Sequence, residues 1–421
     1  MRCPTLAELP PPPPDKTGWP WTEETPSLPE TMPDGSPWPR ISIVTPSYNQ
    51  GQFIEETIRS VLLQGYPNLE YIIIDGGSTD NSVEIIKKYE SWLAYWVSEK
   101  DRGQSHAINK GFERSTGEIV AWLNSDDVYN KNAILEAIYI LFEQDDITVV
   151  YGESVFIDED SKPIGKYLSE TFSLPMFLYH NMIPQPSSFV RRTAIDTDYL
   201  VDENYFFVMD YELWLRIGIS RKIEYQNHVW SFFRIHNKSK SVNHEVIRWK
   251  ETLELLKKWF ISSARLEGIQ SEYANYIGHS FWRLSLAYCD ANQWEEASQY
   301  VKEALILAPG WLTKREFQNI VITFALKADA PEDWVIHFFS LVPLPSLHLF
   351  WARRTCLAWL SAKQALTANS SRDAEKYIWR AVYLDPRWLL DRNLMYKLLL
   401  SICGEKIAEI IHGLLGRRSV L

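Results

Sequence analysis

Two adjacent carboxylates at the end of an apolar run are the first candidates for chemistry. Residues 119–123 are apolar throughout, and Asn124, Ser125, Asp126 and Asp127 follow them directly. Because neighbouring carboxylates repel each other, proteins tend to keep them where a cation neutralises their charge, and a hard divalent ion bound to phosphate is the natural candidate. The alternative is a solvated loop or the N-cap of the next helix, where aspartate is common. This stretch alone leaves both interpretations open.

A second acidic pair opens a predicted amphipathic helix. Asp210 and Glu212 stand in the segment Asp-Tyr-Glu-Leu-Trp at residues 210–214. Aspartate is a good N-cap, and glutamate in the first turn is favoured by the helix dipole. The residues alone therefore favour a capping role for Asp210.

The elements that must position these residues alternate between strand and helix signals. Helical apolar spacing separates successive short apolar runs, which we interpret as strands at residues 41–44, 69–74, 95–98, 119–123 and 147–151. Strands alternating with helices of this length predict a parallel sheet with right-handed crossovers. Ligands gather at the carboxyl ends of such strands.

Four polar loops are therefore expected at one edge of one sheet. They begin at Thr45, Asp75, Asp101 and Asn124, and a later strand at residues 230–235 ends at His236. This convergence favours a binding site over four unrelated loops.

The two ends of the chain differ from this pattern. Residues 1–39 are rich in proline and predict an extended arm, and the three tryptophans Trp19, Trp21 and Trp38 indicate that parts of it pack on the following domain. Beyond about residue 241 helical signals dominate. There two sets of residues stand 77 positions apart, one at Trp282, Ala297, Tyr300, Ala304, Pro309, Trp311 and Leu312 and the other at Trp359, Ala374, Tyr377, Ala381, Pro386, Trp388 and Leu389. Small residues with an aromatic residue between them, followed by a proline, are typical of helical-hairpin repeats of about 34 residues.

Composition limits the classes of partner. The 43 basic and 54 acidic residues give a net charge of −11, so binding to nucleic acid is not expected. The four cysteines have no metal or redox spacing, and no apolar run reaches the roughly 18 residues of a membrane span. We predict a cytoplasmic protein. Residues 407–415 and the following arginines have the spacing of a helix that contacts the inner face of the membrane peripherally, or of one that packs on its own domain.

Four segments resemble, in order, the motifs of glycosyltransferase family 2. They are Val-Thr-Pro-Ser-Tyr-Asn at 44–49, Ile-Asp-Gly-Gly-Ser-Thr-Asp at 74–80, Leu-Asn-Ser-Asp-Asp at 123–127, and Asp-Tyr-Glu-Leu-Trp at 210–214. The resemblance implies an A-type α/β fold, with a mostly parallel central sheet flanked by helices, over residues 40–245. An all-α domain at residues 246–421 is similar to tetratricopeptide repeats and is expected to bind a protein partner.

The resemblance also implies a reaction, the inverting transfer of a sugar from a nucleotide diphosphate sugar to an acceptor hydroxyl in polysaccharide or glycoconjugate synthesis. It assigns nucleotide binding to Thr45, Ser47, Tyr48, Asp75, Asp101 and Ser125. By the same resemblance Asp210 is the general base, with Glu212 as runner-up, and Gln185, Ser187 and Glu212 lie on the acceptor side.

The metal motif departs from the family pattern. The family triplet usually begins and ends with aspartate, whereas this chain has Asn124, Ser125 and Asp126. We therefore place Mn²⁺ or Mg²⁺ chiefly on Asp126, with Asp127 as a helper. His236 is either a further ligand of the ion or a structural residue.

Two other functions stay open at this point. A catalytically inactive nucleotide-sugar fold could act as a protein-binding scaffold through its helical repeats, and Asn124 is the best argument for it. Asp126 and Asp210 argue for an enzyme. A sugar-nucleotide synthesising enzyme is disfavoured, because no glycine-rich loop with arginine and lysine follows the first strand.

Overall fold

The computed structural model describes residues 1–195, 201–237, 239, 244–262, 272–308, 330–341, 347–367 and 371–385, with isolated residues between 310 and 328. The chain divides into two compact units, Met1–Gln270 and Ser271–Leu421. The helix Glu245–Ser262 belongs to the first unit. The predicted division at residues 39 and 245 stays a prediction.

The first half of the sheet is parallel, as the alternating pattern predicts. The strand order starts β3-β2-β1-β4, with parallel pairs between neighbours. The residues of β1 and β4 are buried throughout, because helices cover both faces of these strands. The bounds are β1 Ile41–Ser47, β2 Leu69–Asp75, β3 Tyr95–Ser98 and β4 Ile119–Trp122.

Helices connect these strands and present their apolar faces to the sheet. In the first of them Ile54, Ile58, Val61 and Leu62 are buried at helical spacing. The helices are α1 Ile54–Leu62, α2 Ser82–Lys88, α3 Gln104–Arg114 and α4 Ala133–Glu143.

The second half of the sheet is mixed. Its strands are β5 Val128–Tyr129, β6 Ile147–Ile157, β7 Pro163–Lys166, β8 Ser188–Arg191 and β9 Lys222–Arg234. Strand β8 runs antiparallel to both β4 and β6, whereas β9 runs parallel to β6 and antiparallel to β5. Two short helices, α5 Leu174–Phe177 and α6 Met209–Gly218, lie between the later strands. The predicted α/β class is confirmed, with a mixed sheet whose first four strands are parallel.

The proline-rich arm packs on the sheet within the first unit, as its tryptophans predict. Cys3, Leu9, Met32 and Trp38 belong to the same buried cluster as the strands of the sheet. The guanidinium of Arg59 on α1 is fully buried and donates to the backbone carbonyls of Pro10, Pro20 and Trp21 at 2.9–3.0 Å. The arm is therefore held both by apolar burial and by a buried cation.

The second unit is helical over its described residues. Its helices are Tyr273–Asp290, Trp294–Leu307, Pro331–Ser340, Leu347–Thr367 and Ser371–Leu384. In the first hairpin the indole Nε1 of Trp282 donates to the carbonyl of Ala308 at 3.2 Å, and Ala297 and Ala304 are fully buried. The all-α prediction is confirmed. The tetratricopeptide assignment stays a prediction, and Pro309, Leu312, Pro386, Trp388, Leu389 and the C-terminal segment 407–415 lie outside the described residues.

Candidate functional site

Three strand ends meet at the predicted edge of the sheet. Ser47 at the end of β1 is in register with Asp75 at the end of β2, which is in register with Ser98 at the end of β3. The Asp75 carboxylate is buried. It accepts from the backbone N–H groups of Gly77 and Ser78 and from the hydroxyls of Ser78 and Ser98, at 2.5–3.1 Å. Asp75 therefore holds its own loop together at this edge.

The residues at the end of β1 differ sharply in exposure. Thr45 is fully buried, and its hydroxyl lies 3.0 Å from that of Tyr71. The Ser47 hydroxyl is buried and has no hydrogen-bond partner among the described residues. Tyr48 is 61% exposed. Tyr48 is thus available to a ligand, whereas Thr45 and Ser47 lie inside the fold.

The loop at Asp101 packs directly against the loop at Asp75. A Cβ on Gly76 would lie 2.7 Å from Oδ2 of Asp101, so the carboxylate leaves no room for a side chain there. Gly77 has φ +82°, a conformation that favours glycine. The other Asp101 oxygen accepts from the N–H of Gly103 at 2.9 Å. Two of the predicted nucleotide-binding loops therefore form one surface.

The neighbouring cations are already paired. Arg102 donates to Glu203 at 2.9 Å, and Lys110 pairs with Glu99. Both side chains therefore have carboxylate partners beside the Asp101 loop.

Asn124 connects three elements through its side-chain amide. Its Oδ1 accepts from Gln104 at 2.6 Å, and its Nδ2 donates to Gln185 and to Oδ2 of Asp127, each at 3.1 Å. An aspartate could not donate either of the last two bonds and would place a further negative charge against Asp127. The departure from the family triplet therefore has a physical reason. Ser125, next in the chain, is buried.

Asp127 is buried inside the loop. Its Oδ1 accepts from the backbone N–H of Arg234 at 2.9 Å, and its Oδ2 accepts from Asn124. Burial, and next the charge of Asp126, raises the pKa of Asp127 well above its usual range. Both oxygens of this predicted helper ligand thus have partners in the framework of the loop.

Asp126 and His236 form a close pair. Oδ2 of Asp126 lies 3.1 Å from Nε2 of His236, and the side chains are 19% and 4% exposed. The histidine backbone N–H donates to the hydroxyl of Ser239 at 3.0 Å, and its ring packs on Phe53 with centroids 4.9 Å apart. The structure therefore brings together two residues that are 110 positions apart in the sequence.

This pair fits a divalent cation. Ligands at right angles, about 2.1 Å from an octahedral ion, are about 3 Å apart, close to the Asp126–His236 separation. Among the described residues no group of three or more His, Cys, Asp or Glu side chains could hold a metal ion. An ion on this pair would therefore need oxygens from phosphate or water, which is how magnesium usually binds in phosphate-processing sites.

Asp210 lies at the start of α6 and is partly exposed. Its Oδ2 accepts from the side-chain amide of Asn181 at 3.2 Å, and burial raises its pKa to about 6 despite that bond and those from the backbone. The preceding residue, Met209, accepts from Ser105 on α3 at 2.9 Å, and the neighbouring Gln104 donates to Asn124. Helix α3 thus connects the Asp210 region with the Asp126 loop.

The three residues predicted on the acceptor side have internal partners. Gln185 is buried, and besides accepting from Asn124 it donates to the carbonyl of Trp122 at 2.7 Å. Glu212 is buried and accepts from Arg216 at 2.8 Å, one turn along α6. Burial raises the pKa of Glu212, and Arg216 opposes that shift. Ser187, also buried, lies 2.6 Å from Ser231.

Arg234 was not among the residues predicted from the sequence. Its fully buried guanidinium donates to the carbonyl of Asp126 at 2.8 Å and pairs with Glu56 at 3.0 Å. The one signal for it was its position, because it ends β9 two residues before His236.

The part of the chain that contains the strand-end loops and the Asp126 loop matches a known protein family. The family model described as "Glycosyl transferase family 2" matches residues 42–196. These residues form a family 2 glycosyltransferase domain. The match contains the three strand-end loops and the Asp126 loop, and it ends before Asp210 and His236.

Relatives of the family 2 domain are glycosyltransferases by name. An uncharacterized glycosyltransferase of Rickettsia typhi is 30% identical over 207 residues, which are 47% of this chain and 65% of that protein. The putative teichuronic acid biosynthesis glycosyltransferase TuaG of Bacillus subtilis is 34% identical over 139 residues, 32% of this chain and 55% of that protein. The chain thus spans less than two thirds of the length of these relatives.

A solved structure shares the fold. S. aureus TarS residues 1–349, in complex with UDP-GlcNAc, has a TM-score of 0.51 and 15% sequence identity, covering 72% of this chain and 89% of that one. The likeness confirms the predicted A-type fold of the family 2 domain.

Within the described part of the chain, no helix is long and apolar enough to cross a bilayer.

Proposed function

We propose that the chain is an inverting, metal-dependent glycosyltransferase that moves a sugar from a nucleotide diphosphate sugar to an acceptor hydroxyl. The observation that carries this proposal is the pair of acidic centres joined by α3. One is Asp126 beside His236, which suits a cation, and the other is Asp210, whose raised pKa suits a base.

The strand ends would bind the nucleotide. The unpartnered Ser47 hydroxyl and the exposed Tyr48 ring lie where β1 ends, next to the loops of Asp75 and Asp101. A nucleotide bound at these strand ends would cover the exposed Tyr48 ring and remove apolar surface from water. Thr45 and Ser125 are buried and would support these contacts from inside the fold.

Asp126 and His236 would hold Mn²⁺ or Mg²⁺ together with the donor diphosphate. A divalent ion there would neutralise the charge that develops on the leaving diphosphate, as a Lewis acid. Asn124 and Asp127 keep the loop in place but add no open carboxylate. With a single exposed carboxylate, the site would depend on phosphate oxygens to complete the coordination.

Asp210 would take the proton of the acceptor hydroxyl. As the acceptor oxygen bonds to the anomeric carbon, the bond from that carbon to the diphosphate oxygen breaks, the hydroxyl proton passes to Asp210, and the nucleoside diphosphate leaves. Attack opposite to the leaving group inverts the anomeric configuration. A base with a pKa near 6 is ionised at neutral pH and still accepts a proton effectively.

The observations favour an enzyme over an inactive scaffold. Asn124, the best argument for a scaffold, has a structural role in joining Gln104, Gln185 and Asp127. A scaffold has no need of a partly exposed carboxylate whose pKa is raised to about 6. Release of nucleoside diphosphate by the purified chain would separate the two functions.

The name of TuaG, which refers to teichuronic acid biosynthesis, supports a role in polysaccharide or glycoconjugate synthesis. A partner for the helical unit and a peripheral membrane contact stay predictions of the same kind.

The experiment is a donor screen with two readouts. UDP-, GDP- and dTDP-sugars, beginning with UDP-GlcNAc, are tested with Mn²⁺ or with EDTA for thermal stabilisation, since a ligand bound only by the folded state raises its apparent stability. The stabilising donors are then tested for release of nucleoside diphosphate. We expect stabilisation and release that require the metal. Stabilisation without release from any donor, with simple sugars and glycans as acceptors, would favour the scaffold.

A further inference from the structure

One face of α1 lies against the metal loop. Phe53, at the N-cap, and Glu56 and Thr57, in the first turn, are all buried. Their spacing of three and four residues places them on the same side of the helix. Together with Arg234 they form a cluster that we name the α1 brace.

The centre of the α1 brace is a buried ion pair. The Arg234 side chain is 0% and the Glu56 side chain 8% exposed, and they are 3.0 Å apart. The Ser161 hydroxyl donates to Glu56 at 2.9 Å and lies 3.0 Å from a guanidinium nitrogen of Arg234, which also donates to the carbonyl of Asp158 at 2.9 Å. A guanidinium with this many partners has one preferred position.

Arg234 bonds to the Asp126 loop and lies two residues before His236. Its Nε donates to the carbonyl of Asp126 at 2.8 Å, and its backbone N–H donates to Asp127 at 2.9 Å. Two residues further along the chain is His236. The position of this one arginine therefore fixes the Asp126 loop and the start of the segment that carries the imidazole.

The other brace residues contact the same two loops. The Phe53 ring packs on the His236 ring, with centroids 4.9 Å apart, and lies 4.8 Å from the Arg234 guanidinium. The Thr57 hydroxyl donates to the carbonyl of Asp127 at 2.7 Å. Helix α1 also follows directly on the loop of Ser47 and Tyr48, where the donor is proposed to bind.

We propose that the α1 brace positions Asp126 and His236 for a divalent cation and ties that pair to the donor-binding loop. Glu56, Arg234, Phe53 and Thr57 are positioning residues in this role. The proposal rests on the proposed function, because it assigns the metal to the same pair. Partners that orient metal ligands typically change metal affinity about 10- to 100-fold when they are replaced.

The experiment measures Mn²⁺ affinity of the full chain by electron paramagnetic resonance, with UDP and separately with GDP. The variants are Glu56→Gln, Arg234→Lys and Thr57→Val, with Asp126→Asn as the reference for loss of the ligand. Arg59→Lys is the matched control, since Arg59 is equally buried on the same helix but bonds to the proline-rich arm. Melting temperatures are recorded for every variant.

We expect Glu56→Gln and Arg234→Lys to weaken Mn²⁺ binding roughly 10- to 100-fold, and Thr57→Val to weaken it less. Arg59→Lys should lower the melting temperature and leave Mn²⁺ affinity unchanged. If the two charged variants fail to fold, the Thr57→Val result decides.

Two outcomes overturn different statements. Folded Glu56→Gln and Arg234→Lys proteins that bind Mn²⁺ as tightly as the wild type would contradict the α1 brace and leave the proposed function intact. If those two variants do not fold, wild-type Mn²⁺ affinity in Thr57→Val would contradict the α1 brace instead. A wild-type protein whose Mn²⁺ binding is the same as that of Asp126→Asn would contradict the metal site, and the α1 brace with it.

Discussion

The Asp126 loop and the start of α6 each present one aspartate, in different surroundings. Asp126 lies 3.1 Å from an imidazole, and the arginine that bonds its carbonyl fixes its position. Asp210 has an amide as its side-chain partner, at 3.2 Å, and burial raises its pKa to about 6. A carboxylate beside a second metal-type ligand suits a cation, and a carboxylate whose charge is disfavoured suits a proton. Under the proposed function, these different surroundings would give two identical side chains different roles.

The largest effect on transfer is expected when Asp210 is replaced with asparagine. We expect transfer to fall about 10²- to 10⁴-fold, the usual contribution of a positioned base, while donor and Mn²⁺ binding persist. Initial rates and donor affinity with saturating Mn²⁺ would check this. Wild-type activity in the variant would remove Asp210 from the mechanism.

The same variant carries a stability control. Because the folded-state pKa of Asp210 lies above its ordinary value of 3.8, the stability it contributes is complete below pH 3.8 and is lost as pH rises through about 6. Asp210→Asn should therefore be at least as stable as the wild type at pH 7.5. A melting temperature well below that of the wild type would mean that loss of activity reflects misfolding.

Replacing Asp126 with asparagine should affect the other centre. We expect the rate to fall roughly 100-fold, to the level that the wild type shows in EDTA, because an ion that stabilises the leaving group contributes several kcal/mol. The measurement is the rate as a function of Mn²⁺ concentration. A variant that responds to Mn²⁺ as the wild type does would contradict the assignment of Asp126 as a ligand.

The pH dependence of the transfer rate should reflect the titration of Asp210. A base must be deprotonated, so the rate at low donor concentration should fall about tenfold per pH unit below pH 6 and level off above it. The acid limb should persist at its position in the residual activity of Asp126→Asn and vanish in that of Asp210→Asn. An acid limb retained in Asp210→Asn would assign the titration to another group.

The smallest effect is expected for Asn181→Ala. The Asn181 amide donates to the carboxylate of Asp210 and so lowers its pKa against the effect of burial. Its loss should move the acid limb to higher pH by less than about one unit, since one hydrogen bond contributes about 1 kcal/mol, and should reduce the rate at neutral pH only a few-fold. A shift to lower pH would contradict the direction of this interaction.

Local pattern predicted the elements that carry the site. The strand Tyr95–Ser98 lies where the apolar pattern placed it, and β4 Ile119–Trp122 lies within its predicted range of residues 119–123. Strand β1 extends past its prediction to Ser47, through Pro46. The short β5 and the antiparallel position of β8 escaped prediction, because strand order depends on distant pairing rather than on the pattern within each strand.

The motifs of the site could be recognised in the sequence, whereas most of the hydrogen bonds and ion pairs between its residues could not be predicted. The pairing of Asp126 with His236 was anticipated only from the position of the histidine after a strand. The role of Asn124 in joining Gln104 and Gln185 to its own loop, and that of Arg234 in holding the Asp126 loop, depend on contacts across 20 to 108 positions of sequence. No periodicity encodes such contacts, so the structure was needed to find them.

The most direct test of the division between the two acidic centres is anomalous diffraction at the manganese edge, from crystals soaked with MnCl₂ and the nucleoside diphosphate of the best stabilising donor. We expect one manganese peak bound by Asp126 and His236, with diphosphate oxygens completing the coordination, and no manganese at Asp210. A peak coordinated by Asp210, or a nucleoside diphosphate bound in the site with no manganese on Asp126, would contradict it.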